Sequence, residues 1–544
     1  MGDLQGNPYG FNYDDLLISM ISGAEEDFRH FDYDDGGSID GEDWEDQTGR
    51  WHSQPYASLS SSWWEDLCPF AQNIILQVLP NMLFSLTVCL LWRISFLVLT
   101  RCPSERGVGD PQHSKRRLPI WREAVLHALS IALGILLLGH YFGAQCTLPI
   151  AFIVTLGLLQ SSLRFLPHTT LSSTVHPTMS ASPSGWSRDV VLITLSCLAV
   201  QLYGEFFMVP EDWHSIRGTV MVIIMKAICA TSTAQGRSSF KPSDVFLQFL
   251  SWCGYAFSPG SIIFGPWFGY RDYLDILCFP YQPRFSFLND VARACVSCFC
   301  CLGCIIYSTY LSSITYSSYW TTYRWINAFV QSQSFRFSHY FVCFFSQSLQ
   351  ELIGFSTITG PPSHQGGRLA KCANPVAVEF PRSLVDVVIH WNFPIHIWLK
   401  QFVYKPTRKF GQLPALLLTY AFSSLLHGLN FQLAAVLFSI GIYAYIEFVF
   451  RQRLSELLST CTGARPCPDN CGHARKKGFL IYLINLAFSV LAIFHLAYLA
   501  VMFDASEQQA RGYTMFHVFS KWSHLHFMSH IVAMLTYLAY IFIK

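Results

Sequence analysis

One histidine stands inside a long apolar stretch of the sequence. Between Gln412 and Ile446 there is no Asp, Glu, Lys or Arg, and His427 is the only histidine. An ionisable side chain at membrane depth is costly, so it is a candidate functional residue by default. Apolar surroundings disfavour the charged imidazolium, and a neutral imidazole can accept a proton. The pattern predicts a general base, and the alternative is a ring that only closes a turn and bonds a neighbouring helix.

An amide side chain precedes this histidine by 35 residues. Asn392 follows Trp391, and Pro394 comes two residues later. The NH₂ group of an asparagine can stabilise a developing oxyanion or orient a base. Asparagine next to a proline-containing turn is also a common structural residue, so both roles remain open. The sequence has no Gly-x-Ser-x-Gly elbow, and a base without an obvious protein nucleophile indicates that the substrate supplies the attacking group.

The composition places these residues in a membrane protein. Of the 544 residues, 51% are hydrophobic and 13% are charged, whereas roughly a quarter of the residues are charged in an ordinary soluble domain. Stretches without charge are long enough for spanning helices, which need about 20 apolar residues each. We predict an all-α integral membrane protein, a multi-pass bundle of roughly ten to thirteen membrane helices, some of them short or re-entrant. A soluble multidomain protein is excluded.

Charge divides the chain into two regions. Residues 1–66 contain 16 of the 35 acidic residues and 2 of the 36 basic ones, so their net charge is −14 and that of residues 67–544 is +15. No helical period runs through the first region, which favours a disordered acidic tail. A docking segment for a basic partner is the alternative for this tail. Residues 67–544 are predicted to form the helical bundle.

Two basic loops orient the part of the bundle that carries the histidine. Residues 400–409 and 451–477 are rich in Lys and Arg, and the positive-inside rule places both loops in the cytosol. The apolar chain between them is about 40 residues long, enough for one helical hairpin that leaves and returns. A helix that begins near Leu413 places His427 about 21 Å along its axis, past the midplane of a core about 30 Å thick.

The second basic loop contains four potential zinc donors. They are Cys461, Cys467, Cys471 and His473. A reducing cytosol disfavours a disulfide, so these residues remain available to a metal ion. Their Cys-x₅-Cys-x₃-Cys-x-His spacing is not a standard zinc motif. We predict no metal site for the chain, and this loop is the weak alternative.

Several short strings resemble the membrane-bound O-acyltransferases. The resemblance covers roughly residues 190–540 and leaves the acidic tail outside. Some of the strings are similar to the family member that acylates secreted Wnt proteins. The strings are Phe264-Gly265-Pro266-Trp267, Ser338-His339-Tyr340-Phe341-Val342, Trp391-Asn392, Leu425-Leu426-His427-Gly428, Leu433-Ala434-Ala435-Val436-Leu437, Cys467-Pro468 and Ala492-Ile493-Phe494-His495-Leu496-Ala497-Tyr498-Leu499.

The resemblance implies an activity and a compartment. The implied protein is a multi-pass enzyme of the endoplasmic reticulum membrane that acts on palmitoleoyl-CoA and on Wnt-family secreted proteins. It moves a monounsaturated fatty acyl chain to a serine hydroxyl and needs no tightly bound cofactor. Its partners are those proteins, acyl-CoA and membrane lipids, and no nucleic acid. A lipid transporter or a membrane scaffold without catalysis is the alternative.

The resemblance also implies roles for individual residues. His427 takes the position of the catalytic histidine and Asn392 that of a second polar catalytic residue. The fatty chain must lie in an apolar tunnel, because its thioester head is polar and its tail is not. The predicted substrate-binding residues are Trp267, Trp391, Phe393, Tyr404 and Ser424.

Overall fold

The computed structural model confirms an all-α membrane protein. It describes residues 63–100, 119–163, 186–234, 242–278, 284–315, 323–354, 371–468, 470–503 and 515–544. Within these ranges there is no β-strand, and one isolated bridge joins Thr460 to Arg475. The acidic tail lies outside the described residues up to position 62. The first helix begins at Trp63, so the predicted boundary at residue 66 falls inside its first turn.

The first half of the described chain consists of helices that lead to a central one. Their bounds are α1 Trp63–Thr100, α2 Ile120–Phe142, α3 Thr147–Leu163, α4 Arg188–Phe207, α5 Pro210–Ala234, α6 Pro242–Ala256 and α7 Tyr270–Cys278. A 3₁₀ turn at Gly143–Cys146 separates α2 from α3. Helix α5 is central, because 83% of its apolar window is buried inside the protein.

The second half contains the short helices that carry the candidate site. The bounds are α8 Arg284–Thr315, α9 Arg324–Ile353, α10 Pro375–Glu379, α11 Leu384–Trp391, α12 Phe393–Leu399, α13 Gln412–Leu426, α14 Phe431–Leu458, α15 Phe479–Ala500, α16 Met515–His524 and α17 Met528–Ile543. A π-helical turn at Lys400–Tyr404, an α-turn at Lys405–Thr407 and a 3₁₀ turn at Arg408–Phe410 connect α12 to α13.

The described helices include fewer full-length membrane spans than the roughly ten to thirteen membrane helices, some of them short, that the sequence predicts. Seven helical segments of the described chain are long and apolar enough, or up to eight if α16 and α17, bent by 74°, count as one span. The segment Ile120–Leu163 counts once because its helices continue through the 3₁₀ turn, and Val245–Ala256 and Gln412–Leu426 are apolar but short. The predicted number therefore includes short helices that pack among longer ones.

Two charged side chains buried in the bundle show how such groups are stabilised, one by an ion pair and one by hydrogen bonds. Arg93 Nη2 lies 3.1 Å from Asp290 Oδ2, and both side chains are fully buried. Lys226 Nζ, on the central helix α5, donates to the main-chain oxygens of Tyr255 and Ala256 and to the hydroxyl of Ser261. Buried charges persist only when such partners compensate for lost hydration.

The predicted helical hairpin between the basic loops is formed by α13 and α14. Residues 427–430 make the connecting turn. Gly428 has a φ of +97°, which favours glycine. Asn430 caps α14, because its Oδ1 accepts a hydrogen bond from the main-chain N–H of Gln432 at 2.9 Å. His427 therefore lies at the tip of a hairpin whose turn is fixed by local chemistry.

Candidate active site

A cavity of about 750 Å³ lies among α9 and α11 to α15 and contains both residues that the sequence singles out. His427 and Asn392 contribute to its lining. Helix α14 contributes an apolar wall, which includes Leu433, Val436, Leu437 and Ile440. Mostly apolar cavities of roughly 300 to 1,000 Å³ with a few convergent polar groups are typical of small-molecule sites. The fold thus places an imidazole and an amide in one apolar chamber.

His427 is the C-cap residue, directly after the last residue of α13. Its main-chain N–H donates to the carbonyl oxygens of Ser423 and Ser424, at 3.3 and 3.2 Å. The next residue, Gly428, adopts positive φ and turns the chain away from the helix axis. The ring is therefore carried by the capping residue of a helix end whose backbone is fixed, and not by a mobile loop.

The turn after His427 rests against a buried ion pair. Arg217 Nη1 on α5 lies 3.4 Å from Glu205 Oε1 on α4, and both side chains are buried. A Cβ atom at Gly428 would overlap the Glu205 carboxylate and would lie 2.7 Å from Arg217 Nη1. This close approach requires glycine. The two charged residues lie more than two hundred positions before the histidine, so no local pattern in the sequence indicates this support.

Asn392 joins α11 to α12 and caps the second helix. Its Oδ1 accepts a hydrogen bond from the main-chain N–H of Ile395 at 3.2 Å. The main chain beside it is tied to a neighbouring segment, since the N–H of Phe393 donates to the carbonyl of Cys372 at 2.8 Å. Because the oxygen is used for capping, the NH₂ group is the part of the side chain that can donate into the cavity. The structural role and the catalytic role are therefore compatible.

Aromatic rings form another part of the cavity wall. Trp391 lines the cavity and stacks on His339 of α9, with ring centroids 4.2 Å apart and ring planes at 2°. His339 Nε2 also lies 3.1 Å from the main-chain oxygen of Trp391. On the same wall Phe335 stacks on Phe503 at 4.1 Å. The sequence alone indicates no role for His339, although it lies in one of the strings that carry the family resemblance.

The charged side chains that line the cavity are all basic. Within the described part of the chain the lining includes four Lys or Arg side chains and no Asp or Glu. Arg336 is neutralised by a bidentate ion pair with Glu379, in which its Nε and Nη2 atoms donate to the two carboxylate oxygens at 2.8 and 2.9 Å. The other three are Lys400, Arg408 and Arg465, which come from the two basic loops.

Two of these three cations are separated from the histidine by the whole of α13. Lys400 and Arg408 precede α13, whereas His427 directly follows it. The 15 residues of α13 span about 22 Å at 1.5 Å per residue. The site therefore has a basic region and a histidine region separated by the length of this helix, a geometry suited to an elongated ligand with an anionic end.

The remaining predicted residues divide between the cavity and its surroundings. Trp391 and Tyr404 line the cavity, whereas Trp267, Phe393 and Ser424 are outside its lining. Trp267 packs edge-on against Phe402 at 6.0 Å. The zinc candidates lie in the loop between α14 and α15, and their donor atoms are within 4.8 Å of one another. The donor atoms are those of Cys461, Cys467, Cys471 and His473.

Comparison with known proteins identifies the class of this enzyme. The family model described as "MBOAT, membrane-bound O-acyltransferase family" matches residues 217–468. This range begins at Arg217 and includes Asn392 and His427. A relative from Homo sapiens is 32% identical over 86% of this chain and 94% of its own length. The chain therefore belongs to the membrane-bound O-acyltransferase family, and it is an O-acyltransferase.

The relatives define the resemblance more closely. The Homo sapiens protein carries the name "Protein-serine O-palmitoleoyltransferase porcupine". A Mus musculus protein of the same name is 34% identical over 75% of this chain and 86% of its own length. An Anopheles gambiae protein of that name is 33% identical over 61% of this chain and 70% of its own length. The catalytic interpretation is therefore favoured over a transporter or a scaffold.

Proposed function

We propose that this enzyme is a protein-serine O-palmitoleoyltransferase that uses palmitoleoyl-CoA to acylate Wnt-family secreted proteins. The observation that carries the proposal is the single cavity that contains His427 and Asn392 in a chain similar to porcupine proteins along most of its length. The expected compartment is the endoplasmic reticulum membrane, where a secreted protein and a cytosolic acyl-CoA meet on opposite sides of one enzyme.

The first step is attack of the serine hydroxyl on the thioester carbonyl carbon. A hydroxyl is a weak nucleophile unless a base takes its proton as the new C–O bond forms. Neutral His427 accepts that proton and becomes an imidazolium. General-base catalysis of this kind contributes roughly 10²- to 10⁴-fold.

The second step is collapse of the tetrahedral intermediate. The carbonyl oxygen carries negative charge at this stage, and the NH₂ group of Asn392 is the proposed donor to it. The C–S bond then breaks, the carbonyl re-forms as an ester, and the imidazolium of His427 returns its proton to the CoA thiolate. The protein forms no acyl intermediate, because the substrate supplies the nucleophile.

The acyl donor fits the polarity of the cavity. The apolar wall from α14 suits a fatty chain, and Lys400, Arg408 and Arg465 provide positive charge for the phosphates of CoA. The separation along α13 allows the thioester to reach His427 while the nucleotide stays near the basic loops. Trp391 and Tyr404 are the proposed aromatic contacts of the donor.

The test of this function is a reconstituted transfer assay. We expect the purified protein to attach a palmitoleoyl group to a Wnt-derived hairpin peptide that carries the acceptor serine, and to use saturated or shorter acyl-CoAs less well. A peptide with alanine in place of that serine is the control and should remain unmodified. Transfer to neither peptide, or equal labelling of both, would reject a serine O-acyltransferase of this specificity.

The dual role of Asn392 can be separated by one substitution. Asn392→Asp retains a good capping oxygen but loses the NH₂ donor, so we expect transfer to fall by roughly 10²- to 10³-fold, as for removal of an oxyanion-hole donor. The midpoint of thermal unfolding should stay close to that of the parent protein. Asn392→Ala removes both functions and should also cost roughly 0.5 to 2 kcal/mol in stability. Near-parental transfer by the Asp variant would leave capping as the only role of this residue.

A further inference from the structure

The loop between α14 and α15 brings together three thiols and an imidazole. Cys461 Sγ lies 3.6 Å from Cys471 Sγ and 3.7 Å from His473 Nδ1. Cys467 Sγ lies 3.6 Å from the same nitrogen. None of these cysteines belongs to the acyl-transfer cavity. Each sulfur and the Nδ1 atom face the same small volume.

These separations are those of donors around one tetrahedral metal ion. With Zn–S about 2.3 Å and Zn–N about 2.0 Å, neighbouring donor atoms lie about 3.5 to 3.8 Å apart. The two sulfurs at 3.6 Å are free thiols and not a disulfide, since a disulfide bond is about 2.05 Å long. Three thiolates and a histidine are a recognised donor set of closed structural zinc sites.

The second nitrogen of the imidazole is held as in metal-bound histidines. His473 Nε2 lies 3.2 Å from Ser455 Oγ on α14. The Ser455 hydroxyl donates to the main-chain oxygen of Thr460 at 2.5 Å, so it accepts from the Nε2–H group. This arrangement leaves the lone pair of Nδ1 directed at the sulfurs. A hydrogen bond from the outer nitrogen is the usual support of a metal-bound histidine.

The backbone of the loop is closed around the cluster. The main-chain N–H of Arg475 donates to the carbonyl of Ser459 at 3.1 Å, and that of Cys461 donates to the carbonyl of Arg475 at 3.3 Å. Ser459, the C-cap residue after α14, adopts a left-handed conformation, which turns the chain back towards the cluster. Both ends of the loop therefore meet at the base of the four donors.

We propose that Cys461, Cys467, Cys471 and His473 bind one structural zinc ion. All four positions of the tetrahedron are filled by the protein, so the ion holds the loop together and takes no part in acyl transfer. Zinc binding by such a set requires deprotonated thiols and stabilises the folded loop by the free energy of binding.

The zinc loop also supports the segment that carries Asn392. Arg382 donates to the carbonyls of Cys461 and Gly463, at 2.8 and 3.1 Å. Ser383 Oγ donates to the carbonyl of Ala464 at 2.9 Å. Ser383 is the N-cap of α11, the helix that ends just before Asn392.

A buried arginine completes the same support. Arg451 of α14 donates to the carbonyls of Thr462 and Gly463, at 2.8 and 3.0 Å, and pairs with Glu447 at 3.0 Å. Glu447 in turn accepts from the main-chain N–H of Leu384, the first residue of α11, at 2.9 Å. The metal thereby fixes the start of α11. Any effect of this support on catalysis rests on the proposed function, because it acts through the catalytic role proposed for Asn392.

Metal content of the purified full-length protein tests the site without any transfer assay. We expect about one zinc ion per chain by elemental analysis. Protein produced with cobalt instead should show the absorption bands of a tetrahedral cobalt–thiolate centre. Cys467→Ser should lose the metal, and His473→Cys should retain it, because four thiolates are also a zinc donor set. Cys300→Ser, at an exposed cysteine of α8, is the control and should keep the parental zinc content.

Removing the hydroxyl that supports His473 should weaken zinc binding without abolishing it. Ser455→Ala should raise the dissociation constant for zinc by roughly 10- to 100-fold, as loss of a second hydrogen-bonding partner does at other sites. Metal-free parental protein without a cobalt spectrum would overturn the proposal, whatever its acyltransferase activity. A disulfide between Cys461 and Cys471, found by mass spectrometry after alkylation of free thiols, would overturn it too. A zinc-loaded protein without transfer activity would support the metal site and reject the proposed function.

Discussion

Replacing His427 with alanine is expected to lower acyl transfer by roughly 10²- to 10⁴-fold, because the serine hydroxyl then has no base to take its proton. The loss should appear in kcat, since the ring is proposed to act in the transition state. The substitution removes an imidazole at a helix end whose backbone hydrogen bonds do not involve the side chain. The variant should therefore fold, and transfer of labelled palmitoleoyl groups to a serine peptide is the measurement.

The control for this variant is another histidine at a helix end. His524→Ala changes an exposed residue at the end of α16, away from the cavity, and should transfer acyl groups at the parental rate. With the parental enzyme, transfer should decline as the pH falls through the pKa of the base, because the imidazolium cannot accept a proton. Near-parental transfer by His427→Ala would reject the general-base mechanism.

The hairpin that carries His427 is predictable from the sequence because two strong signals coincide there. An uncharged run too long for one membrane crossing lies between two basic loops, and the structure ends α13 at Leu426 and begins α14 at Phe431. Glycine and asparagine within the turn supply the local chemistry. Hydrophobic run length and charge are therefore enough to predict that the histidine lies near the turn of a helical hairpin.

The support behind the hairpin is not predictable in the same way. Glu205 and Arg217 are ordinary residues of their own helices, and only the packing of α4 and α5 against the turn makes them neighbours of Gly428. Long-range contacts of this kind leave no periodic signal in a single sequence. Hydropathy likewise does not separate full spans from the short apolar helices of the described chain, such as Val245–Ala256, because both are apolar runs.

The four candidate zinc donors illustrate a different limit. Their spacing matches no standard motif, so the sequence favours the absence of a metal. The structure brings the four donor atoms together because the loop folds back on the end of α14, where Ser455 supports His473. The residue types indicate this cluster better than their spacing does, and the absence of a metal stays a prediction that the zinc measurement tests.

Gly428→Ala is expected to reduce transfer by roughly 10²-fold, the scale seen when a catalytic group is misplaced by about 1 Å. Alanine at a φ of +97° is strained, and its Cβ would overlap the buried Glu205 carboxylate. Moving either side chain of the Glu205–Arg217 ion pair away from its partner costs free energy, since an unpaired buried charge is strongly destabilising. The turn must move instead, and His427 moves with it.

Two further variants separate collision from backbone strain. Gly143→Ala places alanine at another positive φ, +50°, where nothing lies within 4 Å of the added atom. It should lose some thermal stability but keep the parental kcat. Glu205→Asp shortens the carboxylate side chain by one methylene, so adding it to Gly428→Ala should restore part of the lost kcat. If Gly428→Ala keeps the parental kcat, or if Glu205→Asp restores nothing, the ion pair does not position the histidine, and the backbone of α13 alone must hold it.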